Sequence, residues 1–303
     1  MMAGDATMQF QGLSAFPITP ADPQGHVDTA ALRRLLRRLA DAEVDSIGLL
    51  GSTGTYAYLN RAERRRAVEA AVAELGGAVP LLVGIGALRT DDAVRHGQDA
   101  KAAGADAVLL APVSYTPLTE AEVFEHFATV ARAVDLPVVI YNNPGTTHFT
   151  FSNELIVRLS QVPGVVAVKN PAPDAAAVKA ELAALRAGVK PGFSIGYSGD
   201  WKATEALLAG GEAWYSVVGG LFPAPLMQLV RAARAGDAAE ARRLNAALQP
   251  LWDLFIAHSS LRVVYAAANL LGLTDAAPPR PILPLDEPVK RQVAEVMRAL
   301  GLR

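Results

Sequence analysis

Gly164-Val165-Val166-Ala167-Val168-Lys169 sets five small or branched apolar residues in a row and closes them with a lone ammonium. A short, unbroken apolar run of this kind reads as a strand buried on both faces, the pattern of a parallel sheet covered by helices. A lysine at the carboxyl end of such a strand sits where a barrel of strands opens onto its pocket. Desolvation there lowers the pKa of an amine, and a neutral amine can attack a carbonyl carbon to form a Schiff base. Lys101, Lys179, Lys190, Lys202 and Lys290, the other five lysines, all fall in polar or helical contexts.

Outward from this run, apolar strand-like stretches alternate with longer amphipathic ones. Strands are expected at 13–18, 46–50, 80–85, 107–111, 137–141, 165–169, 193–196 and 213–217. Helices are expected between them at 28–42, 61–75, 90–103, 119–133, 152–160, 173–187, 200–210 and 223–235. Asp28, Thr119 and Ser152 are placed to cap helix starts, and Glu154 puts an acid in a first turn. Eight strand–helix units are the count of a (β/α)8 TIM barrel. A doubly wound sheet would carry a glycine-rich phosphate loop after its first strand. Thr19-Pro20-Ala21-Asp22 stands there instead. Residues 1–237 therefore read as the barrel. Residues 238–303 read as a C-terminal helical extension packed on it, with helices at 238–257, 259–271 and 287–300. Pro278-Pro279-Arg280-Pro281 interrupts them, because proline lacks the amide donor a helix needs.

With 303 residues, of which 51% are hydrophobic and 19% charged, the chain has apolar mass for one large core. A net charge of −2 argues against the cationic footprint of a nucleic-acid binder. The absence of cysteine excludes disulfides, thiolate nucleophiles and cysteine metal sites. Residues 1–11 lack a signal-peptide pattern and no apolar run is long enough for a bilayer, so a cytoplasmic location off the membrane is the expectation.

Barrel active sites are built from strand carboxyl ends and the loops after them. The second strand runs into Gly51-Ser52-Thr53-Gly54-Thr55-Tyr56, whose amides and hydroxyls could seat a carboxylate. A capped strand–helix turn explains the same pattern equally well. Tyr141, in Tyr141-Asn142-Asn143-Pro144-Gly145, could pass a proton through its phenol, or be a core aromatic with its hydroxyl at the rim. Ser198, Tyr215 and Ser216 fall at the ends of strands seven and eight, where small polar residues also serve turns. Asp200 reads most economically as the N-cap of the next helix. The histidines are never spaced like metal ligands, so no metal is expected. His126 reads as a helix-face residue, and His148 as a less favoured pocket residue. Arg61, Arg64, Arg65 and Arg66 read as a solvated helix face.

Taken together, Gly51-Ser52-Thr53-Gly54, Tyr141-Asn142-Asn143-Pro144 and Gly164–Lys169, with 27 residues between Tyr141 and Lys169, resemble the dihydrodipicolinate synthase/N-acetylneuraminate lyase family of Schiff-base-forming barrels. The resemblance runs from Gly12 through the C-terminal helices. It implies that Lys169 forms an imine with pyruvate or another 2-oxo acid, that Tyr141 shuttles protons, and that Ser52 and Thr53 hold the carboxylate. It implies no cofactor beyond the covalent imine. It also implies a homotetramer made of two dimers.

Departures from the family pattern bear on substrate. Thr146 stands where synthase members carry an arginine for the second substrate's carboxylate, which argues against lysine-pathway synthase activity. Ser114 stands at the position of the family's relay tyrosine, with Tyr115 beside it as a candidate to reach a neighbouring subunit. Trp201 replaces a glutamate of the sialic-acid lyases, and Thr55 replaces the usual glutamate after Gly-Ser-Thr-Gly. The leading expectation is a class I lyase making or breaking a C–C bond. The alternatives are a hydro-lyase or deaminase using the same imine, and a non-catalytic barrel that binds a small acid.

Overall fold

The computed structural model describes residues 10–303; most of the segment read above for a leader, residues 1–9, lies outside the described residues. Strand and helix alternate from β1 (Gly12–Ala15) and α1 (Thr29–Asp41) through β2 (Ser46–Leu49), α2 (Arg61–Leu75), β3 (Leu81–Gly84) and α3 (Thr90–Ala103). They continue with β4 (Ala107–Leu110), α4 (Glu120–Val134), β5 (Val138–Tyr141), the one-turn α5 (Pro144–Thr147), α6 (Asn153–Ser160) and β6 (Val165–Pro171). The barrel is completed by α7 (Ala175–Gly188), β7 (Ser194–Ser198), α8 (Ala203–Leu208), β8 (Ala213–Ser216) and α9 (Pro223–Arg234). All eight strands run parallel, and β1 pairs with β8 to close the ring. The expected (β/α)8 barrel is the fold.

Two apolar layers follow from strand alternation. Residues such as Val138, Ile140 and Val168 face outward under the helices, while Leu82, Leu109, Val139, Tyr141, Ala167 and Tyr215 fill the barrel interior. The helices start where their caps place them. Asp28 accepts from the amides of Ala30 and Ala31, Thr119 and Glu122 form a capping box, and Ser152 accepts from Leu155.

Pairing between β5 and β6 carries one irregularity. Val138 pairs with Val165 but Val139 pairs with Ala167, so Val166 is an extra residue, a β-bulge. Beyond it Tyr141 lies directly opposite Lys169. Without the bulge Tyr141 would face Val168, whose side chain belongs to the outer layer. One inserted residue therefore turns Lys169 inward, as bulges beside active sites commonly do.

After the barrel come α10 (Ala238–Ala247), α11 (Gln249–His258), α12 (Ser260–Leu270) and α13 (Glu287–Ala299). The single helix expected over 238–257 is in fact α10 and α11. The chain turns at Leu248, with Pro250 in the first turn of α11, where its missing amide costs nothing. Helix α8 starts at Ala203 rather than at 200, for a reason given below. Among the described residues no helix is long and apolar enough to cross a membrane.

Arg64 corrects the expectation of a wholly solvated arginine face. Its guanidinium is buried, donates to the carbonyls of Tyr56 and Gly86, and lies 5.0 Å from the centre of the Tyr56 ring. Burial pushes it down to about 10. Arg61, Arg65 and Arg66 remain exposed.

Glycine is required where strands and loops crowd. A Cβ on Gly84 would lie 1.8 Å from the carbonyl oxygen of Leu50, a residue already held at a φ of 56°. The obstacle is backbone, so Gly84→Ala forces β3 away from the β2 loop, at a cost on the order of 1–3 kcal/mol. A clearly lowered thermal midpoint is expected; an unchanged one would contradict this packing.

Candidate active site

At the carboxyl end of the barrel lies a cavity of about 650 Å³ that brings Ser52, Thr53, Tyr141, Lys169, Ser198 and Tyr215 to one wall. These are six of the residues singled out by the sequence. Ser216 is not among them. It is fully buried behind the wall, and its Oγ accepts from the amide of Gly219 at 2.8 Å. Ser114 and Tyr115 do not line the cavity either; their neighbour Val113 does, and Tyr115 is 96% exposed. His148 is exposed and outside the cavity, and His126 hydrogen-bonds Thr90 between α3 and α4.

Lys169 is 4% exposed. Its Nζ lies 3.7 Å from the ring centre of Phe16, 4.3 Å from that of Tyr141 and 5.8 Å from that of Tyr215. Burial lowers its pKa below the ordinary lysine value, opposed in part by Tyr141 and by the more distant Asp200. The neutral, nucleophilic form of the amine is thereby favoured.

Tyr141 is held by two partners. Asn143 Nδ2 donates to its hydroxyl oxygen at 2.9 Å, and Ser52 Oγ lies 3.0 Å from the same oxygen. Because Asn143 fills one acceptor position, the phenol is free to pass its own hydrogen to Ser52 or to a molecule at Lys169. Asn143 belongs to the Tyr141-Asn142-Asn143-Pro144 motif, and nothing in the sequence marks its carboxamide as the partner of the phenol. Thr147 in turn donates to the Asn143 carbonyl at 3.1 Å, so the short α5 fixes the carboxamide's backbone.

Ser198 donates to the Asn170 carbonyl at 3.2 Å, tying β7 to β6 at the rim. The Tyr215 hydroxyl is buried with no hydrogen-bond partner among the described residues, and burial raises its pKa. Around the outer rim stand Thr146, Trp201 and Lys202, the last paired with Asp174 at 2.7 Å. Ser259, Ser260 and Leu261 bring the α11–α12 junction over the mouth. Among the described residues no arginine lines this cavity. The composition of these late helices gave no sign that they reach the site.

Asp200 is the clearest misreading. It does not cap α8; it is 2% exposed, and its carboxylate accepts from the Trp214 indole at 2.9 Å and from the Val218 amide at 2.9 Å. Burial raises its pKa, while these donors pull the other way. Gly199 and Asp200 thus belong to the β7 loop, which delays α8 to Ala203. The local pattern of an acid before a helix was outcompeted by two buried donors on β8 and its loop.

Fold and site together define a class I, aldolase-type lyase on a (β/α)8 barrel. Residues 9–300 match the model of the dihydrodipicolinate synthetase family. The 4-hydroxy-tetrahydrodipicolinate synthase of Alcanivorax borkumensis is 36% identical over 287 residues, covering 94% of this chain and 96% of the relative. The crystal structure of dihydrodipicolinate synthase from Agrobacterium tumefaciens C58 is 60% identical, with a TM-score of 0.94 over 96% of this chain and 98% of that one. A dihydrodipicolinate synthase from Acinetobacter baumannii, solved in complex with pyruvate, is 28% identical, with a TM-score of 0.89 over 98% and 100% of the two chains. The chain belongs to the dihydrodipicolinate synthetase family.

The role of Asp200 is open to test. In Asp200→Asn the amide oxygen can accept one of the two N–H groups, and its NH2 must face the other donor. A stability loss of about 1–3 kcal/mol is expected in chemical denaturation. A variant as stable as the parent would show that these two bonds do not hold the β7–β8 rim.

Proposed function

We propose that Lys169 condenses with the C2 carbonyl of pyruvate or another 2-oxo acid, and that the protonated imine is the working intermediate. The observation that carries this reading is the buried amine placed opposite Tyr141 by the β6 bulge. The neutral amine attacks C2, the carbinolamine loses water, and the imine nitrogen takes the positive charge. Electron withdrawal by that nitrogen acidifies C3. A proton leaves C3, and the resulting enamine adds to an aldehyde; in reverse, the same steps cleave an aldol.

Tyr141 delivers the proton that removes water from the carbinolamine and recovers it afterwards, with Ser52 as the next link. Ser52 and Thr53 seat the carboxylate, and Ser198 and Tyr215 complete the substrate wall. The imine is formed on the substrate itself, so the reading calls for no metal and no cofactor.

Thr146 lines the cavity where the resemblance led to an arginine as the carboxylate receptor in synthase members. This favours an acceptor, or a leaving half, that needs no guanidinium anchor. Elimination of water or ammonia through the same imine is the second reading, and it meets that condition because it keeps the carbon skeleton intact. We further propose a cytoplasmic homotetramer built as a dimer of dimers. The exposed Tyr115 ring supports a contribution to a neighbouring subunit's site, with the adjacent Ser114 in the same relay.

Borohydride reduction in the presence of pyruvate, followed by peptide mapping, is expected to leave the adduct on Lys169 and none in Lys169→Ala. The trapping rate should climb with pH to a midpoint below 10.5, because the depressed pKa releases the neutral amine early. An adduct that persists in Lys169→Ala would rule the assignment out. Tyr141→Phe should slow turnover about a hundredfold or more while leaving a trappable imine. Turnover equal to the parent's would remove the phenol from the mechanism.

A further inference from the structure

A buried nitrogen that becomes a protonated imine carries a positive charge that the substrate's carboxylate offsets only once bound, and among the described residues no carboxylate side chain forms an ion pair with Lys169. Asp200 has both carboxylate oxygens engaged elsewhere. Three aromatic rings surround the nitrogen, and the nearest ring centre is that of Phe16, immediately after β1.

The surroundings of Phe16 are shaped around its ring. A Cβ on Gly48, within β2, would lie 2.2 Å from Phe16 Cζ, and one on Gly51 would lie 2.6 Å from Cδ1. A Cβ on Gly220 would meet the Phe16 carbonyl oxygen at 2.2 Å. Glycine inside a strand weakens it and marks close approach of another group; here that group is a phenyl ring. The Phe16 amide donates to the Ser216 carbonyl at 2.9 Å, and Tyr215 meets the ring edge-on at 6.1 Å and 73°. Backbone and side chain are both pinned, with the ring centre 3.7 Å from Lys169 Nζ.

We infer that Phe16 is a positioning residue for the Lys169 chemistry: its ring face, in place of a carboxylate, holds the positive charge of the ammonium and of the iminium. The inference rests on the imine reading above. An aromatic face attracts a desolvated cation strongly and a neutral amine weakly. It therefore stabilises the charged imine without locking the free amine into an ion pair, which would suppress its nucleophilicity. Tyr141 and Tyr215 add further faces, but Tyr141 also moves protons, so Phe16 is where the electrostatic part can be separated.

The test compares the unmodified protein, Phe16→Leu and Phe16→3,4,5-trifluorophenylalanine, the last nearly isosteric with phenylalanine but with a depleted ring face. The readout is the rate of borohydride trapping at Lys169 as a function of pH and pyruvate concentration. Both variants should move the acid limb of the profile to lower pH. Above that limb, both should raise the pyruvate concentration for half-maximal trapping about tenfold. A fluorinated variant whose limb and pyruvate requirement superimpose on the parent's would overturn the inference and leave Phe16 as packing. Absence of trapping in the parent itself would sink the imine reading and this inference together, so the two failures are distinguishable.

Discussion

One extra residue in β6 decides which way Lys169 points. Val166 opens the register between β5 and β6, and from that place on Ala167 and Lys169, rather than Val168, share the interior face with Val139 and Tyr141. The constraint is purely geometric, since side chains alternate with a period of two and a one-residue shift exchanges the faces. The amine's burial, its lowered pKa and its position against Tyr141 all depend on that shift. The apolar run that makes the strand recognisable also contributes to the burial that lowers the pKa of its lysine.

Around this nitrogen the barrel divides its polar work. Asn143 and Ser52 engage the Tyr141 phenol, while Asp200 holds Trp214 and the Val218 amide so that Tyr215 stays against the pocket wall. The carboxylate of Asp200 is thus engaged by structural donors, and the Lys169 nitrogen is left to aromatic faces. The same arrangement accounts for the placement of glycines in β2 and after it, which are open because Phe16 fills the space a Cβ would need. Membership of the dihydrodipicolinate synthetase family accounts for the shared fold and for the class of enzyme. Thr146, Trp201 and the Ser259–Ser260 junction line the outer part of the cavity, where the proposed function has the second substrate enter.

Much of the fold was legible because parallel barrels write themselves as apolar runs at regular intervals with capped helices between them. Lys169 stood out as a charge ending an apolar strand, and Tyr141 and Ser52 as polar groups at strand ends. What escaped depended on tertiary partners. Asp200 looked like a cap because its donors lie 14 and 18 residues away in sequence. Arg64 sat in a basic cluster that gave no hint of the Tyr56 ring and the two carbonyls that bury it. Phe16 was one apolar residue among many at the end of a strand. Ser216 was read by strand position alone, although a strand's final side chain can serve the turn behind the wall as readily as the pocket. The break at Leu248 was hidden because helical sequence continues on either side, and Pro250 is tolerated in a first turn.

The central claim is that the Lys169 nitrogen bonds to a ketone carbon. A crystal of the protein soaked with pyruvate measures this directly. Continuous electron density is expected from Lys169 Nζ to C2 of the former pyruvate, with the carboxylate beside Ser52 and Thr53. Density joining pyruvate to a different side chain, or an unbonded molecule with Lys169 free, would contradict it.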